Sequence, residues 1–162
     1  MIKYLGSLVG KVEESLNLVN EILQKINTIK KKTFRIKPKI YFEEWDDPYI
    51  SATRWVSEII EISGGVDIFA KKSRSQKALK RAVSSQDVIN KNPDIIFASW
   101  CGKKVNFDKI KKRQGWSSIN AVKTNSLFEI KSPIILQPGP AALTDGLSQI
   151  HDLILQWQKS QI

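Results

Sequence analysis

The chain has 162 residues, a formal net charge of +10, one Cys and one His. Cys101 alone excludes an internal disulfide and a CxxC zinc site, and His151 alone excludes a His-rich metal centre. With 41% hydrophobic and 26% charged residues the chain reads as globular rather than disordered or collagen-like, and long enough to hold its own core.

Residues 1–32 carry Ile2, Leu5, Val9, Val12, Leu16, Val19, Leu23 and Ile26 at alternating steps of three and four. That spacing predicts one long helix with a heptad-like seam, widened by Leu8, Ile22 and Ile29 and weakened at Gly6 and Gly10. Lys3, Lys11, Glu13 and Glu14 interrupt any apolar run, so neither a signal peptide nor a membrane span is expected. Taken literally, such a chain stays in the cytoplasm.

From Lys39 onward strand and helix patterns alternate. Ile40-Tyr41-Phe42 reads as a strand, and residues 50–63 as a helix with Trp55 on its apolar side, stopped by Gly64-Gly65. Residues 71–81 form a basic connector, and Ser85 is placed to cap a helix over Gln86–Lys91. Ile95–Ala98 reads as a buried strand and Phe107–Arg113 as a short helix. Residues 118–122 and 127–130 read as short strands around a turn at 123–126. Pro138-Gly139-Pro140 opens a last helix running to about Gln158, with Trp157 in its core-facing stripe. The pattern predicts an α/β fold: a single Rossmann-like lobe with a mostly parallel sheet flanked by helices, residues 36–162, preceded by a long helix over residues 1–33.

In open α/β sheets ligands collect beyond the carboxyl ends of the strands. Three loops fall there: EEWDDP at 43–48, SWCGKK at 99–104 and IKSPIILQPGP at 130–140. Glu43 and Glu44 are adjacent, so an extended backbone sends only one of them into a shared crevice. Asp46 and Asp47 read as solvated, with Asp47 capping a helix after Pro48. Trp45 and Trp100 each follow a strand and could stack on a flat ring system; Trp116 is a weaker candidate, and Trp55 and Trp157 read as core. Gly102 lets the backbone approach a ligand, and Lys103 and Lys104 could pair with its polar groups. Cys101 has no nearby base and reads as a small loop residue. No GxGxxG or GxxxxGK loop supports nucleotide binding.

KIYFEEWDDPYISATRWVSEIIEISGGVDIF, NPDIIFASWCGKK and GWSSINAVKTNSLFEIKSPIILQPGPAALTDGL, in this order, resemble the C-terminal lobe of periplasmic cobalamin- and iron-siderophore-binding proteins. LGSLVGK at 5–11 resembles the start of the helix that joins the two lobes of these ABC-importer receptors. The resemblance implies a binding protein rather than an enzyme, with no catalytic residue, metal site or cofactor, and cobalamin, another corrinoid or a metal chelate as ligand. It implies that Glu44, Trp45, Trp100, Gly102 and Lys103 face the cleft, joined by Pro133 and Gln137. An ABC permease is the implied partner. The family docks on it through an acidic residue, where this chain has Gln86 beside Asp87. A family N-terminal lobe and export signal are not in this sequence. The chain therefore reads as one lobe of a truncated or split receptor: paired with a separate N-terminal-lobe chain, self-associated through residues 1–29, or a decayed remnant.

Two other classes compete. A nucleic-acid-binding module would use Lys30–Lys32, Lys71–Arg81 and Lys109–Arg113, but these runs are scattered and lack interleaved aromatics. A small metalloenzyme would use the Glu43–Asp47 cluster. The leading expectation is a substrate-binding lobe with no nucleic acid partner, in a family of the periplasm or cell envelope.

Overall fold

The computed structural model describes residues 1–32 and 36–161. Its helices are α1 Ile2–Leu8, α2 Val12–Lys30, α3 Arg54–Ile62, α4 Ala70–Ser73, α5 Ser85–Lys91, α6 Phe107–Lys111, α7 Asn120–Lys123, α8 Ser132–Ile135 and α9 Leu147–Lys159. Its strands are β1 Lys39–Asp46, β2 Tyr49–Ser51, β3 Val66–Asp67, β4 Ile95–Ala98 and β5 Leu127–Glu129. The strand order is β2-β1-β4-β5, and β3 pairs with the start of β1. All pairings are parallel except that of β2, which folds back antiparallel on β1. This is the α/β lobe with a mostly parallel sheet that the alternating pattern predicts.

Period-two alternation along β1 divides the core into two layers. Ile40 and Phe42 join Ile95, Phe97 and Ile130 on one face, under α3 and α9. Tyr41 joins Ile96, Ala98 and Leu127 on the other, under Val88 of α5, Ile110 of α6 and Trp116. These apolar side chains are almost fully buried, each worth about 1.5–3 kcal/mol for the larger ones. Trp157 closes the first layer, as its place in the final stripe implies.

Several local expectations are corrected. The N-terminal helix is not continuous: it breaks over Val9–Lys11, where Gly10 takes φ +71°, open to glycine and costly for other residues. α1 folds back on α2, with Gly6 buried against Ser15. The expected apolar seam does not pack as a stripe: Leu5, Val9, Val12, Leu16 and Leu23 are exposed, and α2 meets the core through Ile26 and Ile29, with Ile22 also buried. The boundary expected at 33–36 falls partly on residues 33–35, outside the described residues. The helix expected over 50–63 begins only at Arg54, because Tyr49–Ser51 pairs with β1 first; it ends as expected, with Gly64 at φ +100°.

Ser84, not Ser85, caps α5. Its hydroxyl accepts from the Asp87 N–H at 3.0 Å while Asp87 Oδ2 accepts from the Ser84 N–H at 3.1 Å, a capping box. Ser85 instead accepts from the Trp116 indole at 2.7 Å. Residues 118–122, expected as a strand, are helical. The alternation of buried Ile119 and Ala121 that mimics a strand comes from two short turns, Trp116–Ser118 and α7. Asn120 pins them: its N–H donates to Asn92 Oδ1 and its side-chain amide to Asp94 Oδ1. The last helix opens at Pro140 as expected, passes through a π turn over Ala142–Gly146 and continues as α9.

Candidate functional site

The carboxyl edge of the sheet lies at Glu43, Ala98 and Glu129, where the parallel ladders end. EEWDDP is not a loop after β1 but its continuation. The strand runs on to Asp46, bulges between Glu43 and Trp45, and turns through a cis Asp47–Pro48 bond into β2. This hairpin rises beside the two later loops.

On one side of the hairpin the charges are saturated. Glu43 is fully buried and accepts two bonds from Arg113, at 2.6 and 3.0 Å, one from the Trp100 indole at 3.1 Å and one from the Tyr41 hydroxyl at 3.2 Å. Burial pushes the Tyr41 phenol well above its ordinary value, with the Glu43 charge adding to it, so the phenol stays a donor. The Arg113 guanidinium also stacks 4.2 Å from the Tyr49 ring centre and 4.4 Å from that of Trp116. Asp46, expected in solvent, is buried, and binds Lys103 at 2.5 Å and Lys109 at 2.7 Å. Burial pushes its carboxyl up, but the hydrogen bonds and charges of the two lysines outweigh this and hold it below the ordinary range. Lys103 Nζ lies 4.2 Å from the Trp45 ring centre and 5.0 Å from that of Trp100. The structure thus brings Trp45, Trp100 and Lys103 together, with Gly102 exposed in the turn beside them at φ +75°. Trp100, expected to face a ligand, is instead 3% exposed in the core with its indole held by Glu43, which leaves Trp45 and Lys103 as the accessible pair. Trp116, the weaker candidate, is fully buried core and leaves the site.

Glu44 takes no part in that cluster. It points to the opposite face, where its Oε1 accepts from Arg81 Nη2 at 2.6 Å. Arg81 is buried, and also donates to the carbonyls of Ser51 and Ser75. Burial pushes the Glu44 carboxyl above its ordinary range against the pull of Arg81, and Glu44 Oε2 is buried without a hydrogen-bond partner. A concavity of about 500 Å³ opens there, lined by Glu44, Arg54, Trp55, Arg74, Arg81 and Leu136 among others. A second, of about 540 Å³, adjoins it and is largely apolar, with Val19, Trp55, Gln137, Pro138 and Leu143 in its wall.

Trp55 belongs to both walls. Read from the sequence as core, it is instead 37% exposed, its indole N–H held by the Ile135 carbonyl at 2.9 Å. Its place at the start of α3, directly above the sheet edge, takes it out of the buried stripe formed by Val56, Ile59 and Ile60. Arg81 is the other residue the sequence hides, inside a run of basic residues that reads as a solvated connector. Pro133 is exposed near the start of α8. Gln86 is exposed and bonds Asn90, while Asp87 is engaged by its capping box.

Among the described residues no group of three or more His, Cys, Asp or Glu is placed to hold a metal ion. No described helix is long and apolar enough to cross a membrane. Cys101 is exposed and His151 is buried in α9.

Known proteins share this architecture. An uncharacterised ABC transporter substrate-binding lipoprotein, YvrC of Bacillus subtilis, is 23% identical over 160 residues, which cover 94% of this chain and 48% of the relative. The chain therefore spans about half the length of that curated relative. A possible iron-binding (periplasmic solute-binding) protein from Staphylococcus epidermidis superposes with a TM-score of 0.75 at 25% identity, covering 94% of this chain and 59% of the other. The periplasmic vitamin B12 binding protein BtuF of Vibrio cholerae superposes with a TM-score of 0.62 at 20% identity, covering 93% and 54%. Residues 1–134 match the periplasmic binding protein family, and the chain belongs to it.

Proposed function

We propose that this lobe forms one wall of the ligand cleft of an ABC-importer substrate-binding component, with a corrinoid or a ferric-siderophore-like chelate as ligand. The observation that carries this reading is the pair of concavities that share Trp55 above the carboxyl edge of the sheet. Glu44 and Gln137 stand in their walls; Trp45, Trp100, Gly102 and Lys103 lie on the other side of the hairpin and line neither concavity, and Pro133 is exposed in the first turn of α8. The names of the relatives, substrate-binding, solute-binding and B12-binding, support a binding role rather than catalysis.

A large ligand needs most of its surface enclosed. The reading therefore includes a second wall: a second lobe, covalent or separate, or a second copy of this chain. Tyr4, Leu5, Leu8, Val9, Val12 and Leu16, exposed along α1 and α2, are the apolar surface it would cover. The permease is the further partner, at the cell envelope. With Asp87 engaged in its cap, Gln86 and the exposed end of α5 are left to meet it.

Tryptophan fluorescence tests the reading. Cyanocobalamin, ferrichrome and ferric citrate are each titrated into the chain, alone and with a supplied N-terminal lobe. Saturable quenching by at least one probe, weakened about tenfold or more by Trp55→Ala, is expected, since truncating an aromatic anchor costs about 2 kcal/mol or more. No quenching by any probe under either condition would sink the proposal. Quenching that Trp55→Ala leaves unchanged would move the cleft elsewhere.

A further inference from the structure

Between Asp67 and Asp87 the sequence contains no acidic residue and six basic ones, Lys71, Lys72, Arg74, Lys77, Lys80 and Arg81. By composition this stretch is a connector. In the fold it is a short spur made of α4, a bend and the 3₁₀ turn Ala78–Arg81. Its base is pinned from several sides. Arg81 is buried and holds Glu44 and the carbonyls of Ser51 and Ser75, while the Ser51 hydroxyl donates to the Arg81 carbonyl at 2.9 Å. Lys72 Nζ donates to the Ala82 carbonyl at 2.9 Å, and the Val83 N–H to the Tyr49 carbonyl at 3.0 Å. A segment held this way presents its tip already ordered, which lowers the entropy cost of a contact.

The cations separate by what they face. Arg81 is taken up by the fold. Arg74 lines one hollow with Glu44 and another with Glu58 and Glu61. Lys72 is bound to the Ala82 carbonyl and lies near Asp87. Lys71, Lys77 and Lys80 are exposed, and their ammoniums make no hydrogen bond or ion pair among the described residues. None of these three lines either concavity around Trp55. Leu79 stands between Lys77 and Lys80 and is 75% exposed, a value that only Met1 exceeds among the described large apolar residues. A single exposed leucine is ordinary. One set at the tip of a pinned spur, among three free ammoniums, is the composition of a peripheral membrane contact. Cations there meet anionic headgroups, and an apolar side chain enters the acyl boundary.

We propose that this spur, through Lys71, Lys77, Leu79 and Lys80, rests on an anionic phospholipid surface. A nucleic acid would also meet the lysines, but it offers nothing to Leu79, and the tip Lys77–Lys80 has no aromatic ring for a base to stack on. Three ammoniums and one leucine make a reversible contact rather than an anchor. The contact orients the lobe with the spur and the neighbouring Gln86 end of α5 toward the membrane. It goes beyond the cleft reading and does not depend on which ligand the cleft takes.

The test is co-sedimentation of the full chain with vesicles of equal parts phosphatidylglycerol and phosphatidylcholine, beside vesicles of phosphatidylcholine alone. Binding to the anionic vesicles only, weakened by raised salt, is expected. A chain of net charge +10 collects on many polyanions, so variants of equal charge locate the contact. Lys77→Ala/Lys80→Ala is expected to weaken binding about twentyfold, at about fivefold per lysine near the surface. Lys123→Ala/Lys159→Ala removes two exposed cations on the opposite edge of the sheet, before β5 and beside the Gln158–Ile36 contact. It is expected to change binding less than about twofold, since those charges lie beyond the reach of screened attraction. Leu79→Ser keeps every charge and is expected to weaken binding about fivefold, which a purely electrostatic contact does not show. The replaced side chains are all exposed, so these variants leave the fold intact. Equal losses in the two double variants would reduce the effect to net charge and overturn the proposal. So would the absence of sedimentation with the anionic vesicles. Loss in the Lys77 and Lys80 variant with Leu79→Ser unchanged would overturn the membrane reading, and tight binding of a single-stranded DNA oligonucleotide would then assign the spur to a nucleic acid.

Discussion

Glu43 and Glu44 are neighbours of identical chemistry, and the pleat of β1 sends them to opposite faces of the sheet. Glu43 is fully buried, and both of its oxygens accept bonds from Tyr41, Trp100 and Arg113. Glu44 is partly exposed beside a concavity, with one oxygen on Arg81 and the other unpaired. The difference teaches which of the two carboxylates holds the fold together. A carboxylate with every acceptor site filled orders the hairpin that carries Trp45. Glu44, with one oxygen on Arg81 and the other buried, borders a concavity instead of tying two elements together.

The largest expected effect follows from the saturated side. Glu43→Gln keeps the shape but leaves the Arg113 guanidinium, only 7% exposed, without its charge partner. Breaking a buried ion pair from one side typically costs about 3–5 kcal/mol. Urea unfolding at neutral pH should show a loss of this size. A loss below about 1 kcal/mol would mean that stacking on Tyr49 and Trp116 holds Arg113 unaided.

Asp46 sits between the two cases, itself buried but paired with lysines that are 42% and 55% exposed. Its carboxyl is held below the ordinary value near 3.8, so its stabilisation is present above that value and lost as pH falls through the lowered one. Asp46→Asn should therefore cost about 1–2 kcal/mol at neutral pH, discounted for the exposure of both lysines, and flatten part of the acid limb below about pH 4. Thermal melts across an acid series would read this directly. An unchanged acid limb would show that the lysines follow solvent rather than Asp46.

The lobe was legible in the sequence because its signals are local. Ile40–Phe42 and Ile95–Ala98 are short apolar runs with one structural reading once parallel pairing is assumed, and Gly64 stops α3 where expected. The hairpin was not legible. EEWDDP looks like a loop by composition, and only pairing with Tyr49–Ser51 makes it strand, so Asp46 was misplaced into solvent. The break in the N-terminal helix depended on whether Gly10 would take a left-handed conformation, which periodicity cannot decide. At the site, the aromatic–lysine cluster follows from spacing relative to the strands. Trp55 and Arg81 do not, because their places are set by how α3 and the 3₁₀ turn Ala78–Arg81 meet over the sheet edge.

Glu44 is the carboxylate whose pH dependence separates it most sharply from its neighbour. Burial already raises its pKa above the ordinary value near 4.5, so the fold tolerates its charge poorly. Whatever stability this group contributes is fully present below the ordinary value and is lost as pH rises through the raised one. Glu44→Gln removes that loss. It also weakens the hold on Arg81, which keeps its bonds to the Ser51 and Ser75 carbonyls. The two effects oppose, so the net loss at neutral pH should be smaller than the loss of about 3–5 kcal/mol for Glu43→Gln, although the Arg81 side chain it strands is only 4% exposed. Stability of Glu44→Gln measured from pH 4 to 8 should be flatter than that of the unaltered chain over the lower part of that range. A loss as large as that of Glu43→Gln would mean that Glu44 is a structural ion-pair partner like its neighbour, and that the open wall beside it is held shut by the same bond.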